Sequence, residues 1–354
     1  MSIKMAFRWY GESDNIPLEY IRQIPPIRSI VSAVYDTPVG QVWRRESLQK
    51  LKDECEKHKL VFDVVESIPV HEDIKLGKGK CDEYIRNYCA NIKLCGQMGI
   101  KCITYNFMPI FDWTRTSVDK RAGDNSTSLV MYKEELSSLN PLTDDIRLPG
   151  WDSSYSKEEI VQLIEEYKEL GEQGLWRNLK RFLDEVVPVA EMCGVRLALH
   201  PDDPPYSIFG LPRIIVDERA LERVLGMVDS PSNCLCLCTG SLGCVSTNNV
   251  VKMIDKFATQ NKIAFMHIRN VKIVGDGSFE ETAHMSKCGS LDMYEIVRTL
   301  ILRNYDGYVR ADHGRMIWGE RGKSGYGLYD RALGVSYLSG LFEGLEKELG
   351  YAKR

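Results

Sequence analysis

The sequence predicts an α/β fold, a closed (β/α)8 TIM barrel in one domain spanning 1–354, with a long insertion after the fourth strand. Three observations carry that expectation. Eight short apolar runs rich in β-formers recur along the chain, and nearly all alternate with amphipathic stretches. Such alternation points to parallel strands joined by helical crossovers. No run is followed by the glycine fingerprint that cradles a dinucleotide, which speaks against a doubly wound open sheet. Ligand-type side chains also fall at the ends of consecutive strands, where the reactive face of a barrel lies.

The first strand is "KMAFRWY" (4–10), followed by a short helical run from Pro17, and the second, "SIVSAVY" (29–35), precedes the charged amphipathic run 44–58. The third, "LVFDVVESIPV" (60–70), precedes a helix over 81–98 that stops at Gly99. "KCITYNF" (101–107) is the fourth. The interval 108–195 is too long for a simple connection. Its first part is polar and rich in turn formers, and its second, 156–193, reads as one or two amphipathic helices. Long insertions of this kind serve as lids or subunit contacts on the catalytic side. Then come "RLALH" (196–200), "CLCLC" (234–238), "IAFMHI" (263–268) and "GYVRAD" (307–312). Amphipathic runs 217–228, 247–260 and 291–304 separate them, and 328–348 closes the chain.

Composition narrows the class. A hydrophobic content of 44% supports an ordinary globular core. A net charge of −4 without a block of one sign offers no footprint for nucleic acid. No apolar run is long enough to span a bilayer, and the opening residues lack the apolar stretch of a signal peptide. Eleven cysteines, an odd number spread over a long chain, read as the reduced thiols of a cytoplasmic protein.

The fifth strand ends in His200, the sixth in Cys238, the seventh at His267 and the eighth in Asp312 and His313. Three of the six histidines therefore sit at strand ends. Four ligand types at four successive ends point to one divalent metal held by His200, Cys238, His267 and Asp312, with positions left open for substrate or water. Thiolate and imidazole are softer donors; they favour zinc or iron and leave manganese open. Cys234 and Cys236 share the face of Cys238, since residues i, i+2 and i+4 of a strand point one way. Both read as small buried hydrophobes deeper in the wall. His71, in "SIPVHEDIK", either reaches the barrel mouth or caps the following turn. Asn106, ending the fourth strand, is placed to hydrogen-bond a polyol. Arg8, Arg269, Arg310 and Arg315 lie near strand ends, where a guanidinium fork grips a carboxylate. Tyr326, between two glycines, either meets a ligand or plugs a turn. Asp330 and Arg331 read as structural, and His58 and His284 as surface residues.

Taken together, "FRWYGESDNIPLEYIRQIP", "VVESIPVHEDIKLG", "ALHPDDPP", "CTGSLG", "HIRN", "RADHGR" and "GYGLYDRALG" resemble the mannonate dehydratases of hexuronate (glucuronate) breakdown, in the same order and nearly end to end. The resemblance implies a xylose-isomerase-like barrel that converts D-mannonate to 2-keto-3-deoxy-D-gluconate and water. It implies manganese (Mn2+) or ferrous iron (Fe2+) as cofactor and a homodimer or larger homo-oligomer. By the same resemblance His200, Cys238, His267 and Asp312 carry the metal, in agreement with their strand-end positions, while His313 and Tyr326 act as acid and base. The chemistry fits these parts. Dehydration removes a proton beside a carboxylate and expels hydroxide from the next carbon, which calls for a base, an acid and a cation against the developing charge. A sugar isomerase or epimerase would use the same scaffold and metal, with a carboxylate where Cys238 stands. A metal-dependent endonuclease would need the basic stripe this chain lacks. A purely structural metal would be coordinatively closed.

Overall fold

The computed structural model describes residues 3–139 and 156–351. The chain begins β1 (Lys4–Arg8), α1 (Leu18–Arg22), β2 (Ser29–Ser32), α2 (Arg45–Lys57), β3 (Val61–Glu66), α3 (Glu72–Leu76), α4 (Cys81–Gln97) and β4 (Cys102–Tyr105). Two further strands follow, β5 (Ser117–Arg121) and β6 (Thr127–Met131), then α5 (Lys133–Ser138) and the long α6 (Lys157–Met192). Next come β7 (Arg196–Leu199), α7 (Glu218–Met227), β8 (Asn233–Cys238), α8 (Thr239–Gly243), α9 (Val250–Thr259) and β9 (Ile263–Ile268). The chain ends with β10 (Val271–Gly275), β11 (Ser278–Glu281), α10 (Met293–Leu302), β12 (Tyr308–Ala311) and α11 (Tyr329–Glu348).

The eight strands expected from the sequence close a parallel barrel in the order β1-β12-β9-β8-β7-β4-β3-β2. Every residue of β2, β4, β8, β9 and β12 is buried, because each strand faces the barrel interior on one side and helices on the other. Small side chains, among them Ala6, Val31, Cys102, Ala198, Cys234 and Ala264, fill the interior with Phe265 and Tyr308. Outside, α9 turns Val250, Met253, Ile254 and Phe257 inward, the i, i+3, i+4, i+7 stripe of an amphipathic helix. Asp217, Asn249 and Asp292 accept first-turn N–H groups and start α7, α9 and α10. Helix α6 opens with a capping box between Ser156 and Glu159 and breaks at Gly171 (φ 62°, ψ 178°), so one run carries both of the expected helical pieces.

A second sheet was not expected. The hairpins β5–β6 and β10–β11 pair through β6 and β11 into a four-stranded antiparallel sheet, β10-β11-β6-β5. Its polarity hid it: β5 is largely exposed and has no apolar alternation to read. Both hairpins leave from the C-terminal ends of barrel strands, and Thr127 bridges to Met316 beyond β12. The sheet therefore roofs the same end of the barrel as the strand-end ligands. Part of the stretch expected as a lid or subunit contact, 140–155, lies outside the described residues. Among those described, no helix is long and apolar enough to cross a membrane.

Candidate metal and acid–base centre

Strand register brings the soft donors together. Cys238 on β8 pairs with His267 on β9, which pairs with Arg310 on β12, and Asp312 follows. Donor atoms of Cys238, His267 and Asp312 lie within 4.8 Å of one another, as do those of His200, Cys236 and His267. His200 thus joins its three expected partners through His267, their ring centroids 5.1 Å apart. Cys238 caps α8, where the Ser241 N–H (3.5 Å) and O–H (3.1 Å) both donate to its sulfur. The thiol itself donates to Oδ2 of Asp312 at 3.6 Å. The Nε2 of His267 and Oε2 of Glu66 stand 3.3 Å apart, buried and with no hydrogen bond. Orphaned polar atoms beside soft donors fit a bound divalent cation.

The acid–base pair lies next to this cluster. Nε2 of His313 is 3.0 Å from the Tyr326 hydroxyl, and its Nδ1 is 2.9 Å from Oε2 of Glu281 and 2.8 Å from a terminal nitrogen of Arg269. That Arg269 nitrogen also reaches Oε1 of Glu281 at 2.9 Å. In the tautomer with Nδ1–H donated to Glu281, Nε2 accepts from the Tyr326 hydroxyl and the Arg269 nitrogen beside Nδ1 donates to Glu281. Burial, with Tyr10 beside it, pushes the Tyr326 phenol well above its ordinary value, so it keeps its proton at neutral pH. Arg331 fixes the loop by donating to the carbonyls of Tyr326 (2.6 Å) and Gly327 (2.7 Å). Trp113, from the insertion, lies 4.8 Å from the His313 ring.

Buried charges surround both groups. Arg115 and Arg269 share Asp203 and Glu281 at 2.6 to 3.0 Å. Burial opposes the Glu281 charge, but Arg269, His313 and Arg115 more than offset it and hold the carboxyl down at about 2. Asp203 is likewise held well below the carboxylate range against burial, by Arg115 and Arg269. Asp312 follows the same pattern, with His313, Arg310, His267 and Arg269 around it. Arg310 binds Glu66 (3.0 Å) and Asp312 (2.5 Å) yet leaves its Nε and other terminal nitrogen unpartnered. The Nε of Arg8 is also free. Arg269 lies against Gly240, where a β-carbon would come within 2.1 Å of its Nε.

Comparison with known proteins identifies the family. The family model described as D-mannonate dehydratase (UxuA) matches residues 3–351. The chain belongs to the D-mannonate dehydratase family. It is 48% identical to the mannonate dehydratase of Oceanobacillus iheyensis over 97% of this chain and 98% of that one. The crystal structure of mannonate dehydratase from Streptococcus suis serotype 2 superposes with a TM-score of 0.93 at 45% identity, covering 99% and 97% of the two chains. A xylose isomerase domain protein from Planctomyces limnophilus shares the fold alone, with a TM-score of 0.53 at 11% identity and 99% coverage of both chains. Membership places the chain among the hydro-lyases.

In this dehydratase-family barrel His200, Cys238, His267, Asp312, His313, Tyr326, Arg269 and Arg310 gather in one place, with Arg8 at the margin, donating to the Glu66 carbonyl. Three expected substrate contacts are engaged by partners within the chain. His71 takes the capping alternative: its Nδ1 accepts from Asp73 N–H at 3.0 Å at the start of α3, and its ring lies 4.1 Å from that of Tyr84. Asn106 donates to Asp112 and accepts from the Met108 N–H. Arg315 clamps Asp330 (3.0 Å) and Asp124 (3.1 Å). His58 is half-buried beside Glu54, 3.5 Å away. His284 corrects the surface reading: it is buried against Gly334 of α11, whose missing side chain makes the room. Its segment lies in irregular structure, with no periodicity to signal burial. Cys236 also departs from its grouping with Cys234. Cys234 donates to the Pro231 carbonyl and accepts from Arg196, whereas Cys236 faces two imidazoles. Glu66, Asp203, Glu281, Arg115 and Trp113 were missed. Glu66 ends β3 and Asp203 follows β7 closely, so the strand-end rule would have found both.

Proposed function

We propose that the protein dehydrates D-mannonate to 2-keto-3-deoxy-D-gluconate in hexuronate breakdown, with manganese or ferrous iron held by His200, Cys238, His267 and Asp312. The observation that carries this reading is the Glu281–His313–Tyr326 chain beside the soft-donor cluster. When bound, the cation supplies positive charge against substrate oxygens as negative charge develops. The spare N–H groups of Arg310 and Arg8 are suited to a sugar-acid carboxylate or hydroxyl. His313, its Nδ1–H held by Glu281, takes the C2 proton at Nε2. Tyr326, protonated at rest, gives its proton to the hydroxyl leaving C3, and water departs. The C2–H and C3–O bonds break and a C2–C3 double bond forms; the enol then tautomerises to the keto acid. His313 returns its proton to Tyr326 across the 3.0 Å contact, which resets the pair.

The test strips the protein of metal, restores manganese without oxygen, and follows keto-acid formation from D-mannonate beside aldose substrates. Turnover of mannonate that vanishes with chelator and returns with metal is the expected result. Turnover of aldoses alone would move the protein to the isomerases.

A further inference from the structure

Beside the acid–base pair lies a pocket of about 210 Å3 that is lined by neither His313 nor any of the soft donors. Its walls are Tyr10 and residues 13–16 after β1, and residues 320–323 with Gly327 after β12. Tyr326 belongs to both places: it lines the pocket and meets His313. In the reaction proposed above, His313 acts at C2 and Tyr326 at C3. The remainder of the sugar chain, C4 to C6, then runs past Tyr326 and away from the soft donors, into this pocket.

The charged groups of the pocket are unequally engaged. Both oxygens of Asp14 accept backbone N–H groups, from Tyr10 at 2.8 Å and Ile16 at 3.0 Å. Both oxygens of Glu320 do the same, from Leu328 and Tyr329. Among the described residues neither Arg321 nor Lys323 pairs with a carboxylate. The Lys323 ammonium stands 3.9 Å over the Tyr10 ring and 5.3 Å from that of Tyr326. The Arg8 guanidinium is 4.6 Å from the same Tyr10 ring, which therefore carries one cation at the pocket and another at the margin of the catalytic cluster. One turn sets both Tyr326 and Lys323, because the Tyr326 N–H donates to the Lys323 carbonyl at 2.9 Å.

We propose that Lys323, helped by Arg321, receives a second carboxylate, so that the site takes six-carbon sugar diacids as well as the monoacid. A diacid whose C1 end lies by the soft donors and Arg310 brings its C6 carboxylate to Lys323. An ammonium already lodged on an aromatic ring has less freedom left to lose when it pairs. The neutral hydroxymethyl end of mannonate gains no such ion pair. The inference rests on the proposed reaction, which sets the direction of the sugar chain.

The probe is D-mannarate, which is mannonate with its C6 hydroxymethyl group oxidised to a carboxylate. Calorimetric titrations with each acid use manganese-loaded His313→Asn protein, with Lys323 in place or changed by Lys323→Gln or Lys323→Glu. Mannarate should bind roughly fivefold more tightly than mannonate when Lys323 is present, about the most an exposed ion pair supplies. Glutamine should bring the two acids within about twofold, glutamate should make mannonate the tighter ligand, and added salt should narrow the preference. Lys323 is exposed, so neither substitution disturbs the core. Equal affinities with Lys323 present, or a preference that both substitutions leave unmoved, would overturn the subsite. Mannonate turnover by the manganese-loaded wild type is followed in parallel. Its absence, with the diacid preference and its dependence on Lys323 intact, would reject the proposed reaction and leave the carboxylate subsite standing.

Discussion

His313 and Tyr326 form a pair whose division of labour follows from their neighbours. Glu281 accepts a hydrogen bond from the imidazole Nδ1–H in the tautomer that leaves Nε2 as the base, and burial leaves the phenol protonated. Removing either partner should cost chemistry and leave binding intact. We expect His313→Asn and Tyr326→Phe each to lower kcat roughly 10²- to 10⁴-fold, the usual range for a positioned acid or base. Metal content should match wild type in both. Full turnover in both metal-loaded variants would reject the assignment. At this scale the sequence was most legible where strand ends carried the signal: His200, Cys238, His267, Asp312 and His313 needed only the knowledge that barrels react at that end. Glu281 gave no such sign, because its strand belongs to a sheet with no apolar alternation around it to read.

The β8–α8 turn shows how one element sets the position of a side chain from another. Gly240 lies in α8, and the Arg269 guanidinium, from the end of β9, occupies the space a side chain there would need. Gly240→Ala should push Arg269 off Asp203 and Glu281. The expected cost is about 1 to 3 kcal/mol from overpacking, read by urea unfolding, together with a loss of turnover. Unchanged stability and activity would show that Arg269 has room to move. The barrel strands and their helices were legible because apolar runs and 3.6-residue stripes repeat in turn. The small sheet was not. Its pairing joins β6 to β11, and partnership between segments so far apart leaves no local trace. Helix α3 was also missed, its five residues being too short for a periodic signal.

For the molecule as a whole, buried carboxylates set the response to acid. The folded-state value of Glu281 falls from 4.5 to about 2, which corresponds to about 3 kcal/mol at 1.36 kcal/mol per unit. A depressed value stabilises the fold above the unfolded pKa, and that contribution disappears as pH falls through the folded one. Asp203, Glu66 and Asp312 shift in the same direction. The unfolding free energy of metal-free protein should therefore fall by several kcal/mol between about pH 4.5 and about pH 2. Urea titrations at stepped pH measure this, and a flat profile over that interval would contradict the network.

The roof sheet has a consequence for how competence is acquired. The contact between Arg115 and Glu281 spans 166 residues, and it depends on a hairpin after β4 meeting another after β9. A chain with a closed barrel and unpaired hairpins would still hold His200, Cys238, His267 and Asp312 in register, yet would lack the carboxylate that orients His313. Such a chain would be folded, able to hold a cation, and chemically silent. The roof thus works as an interlock, arming the barrel only after two distant stretches of the chain have each arrived.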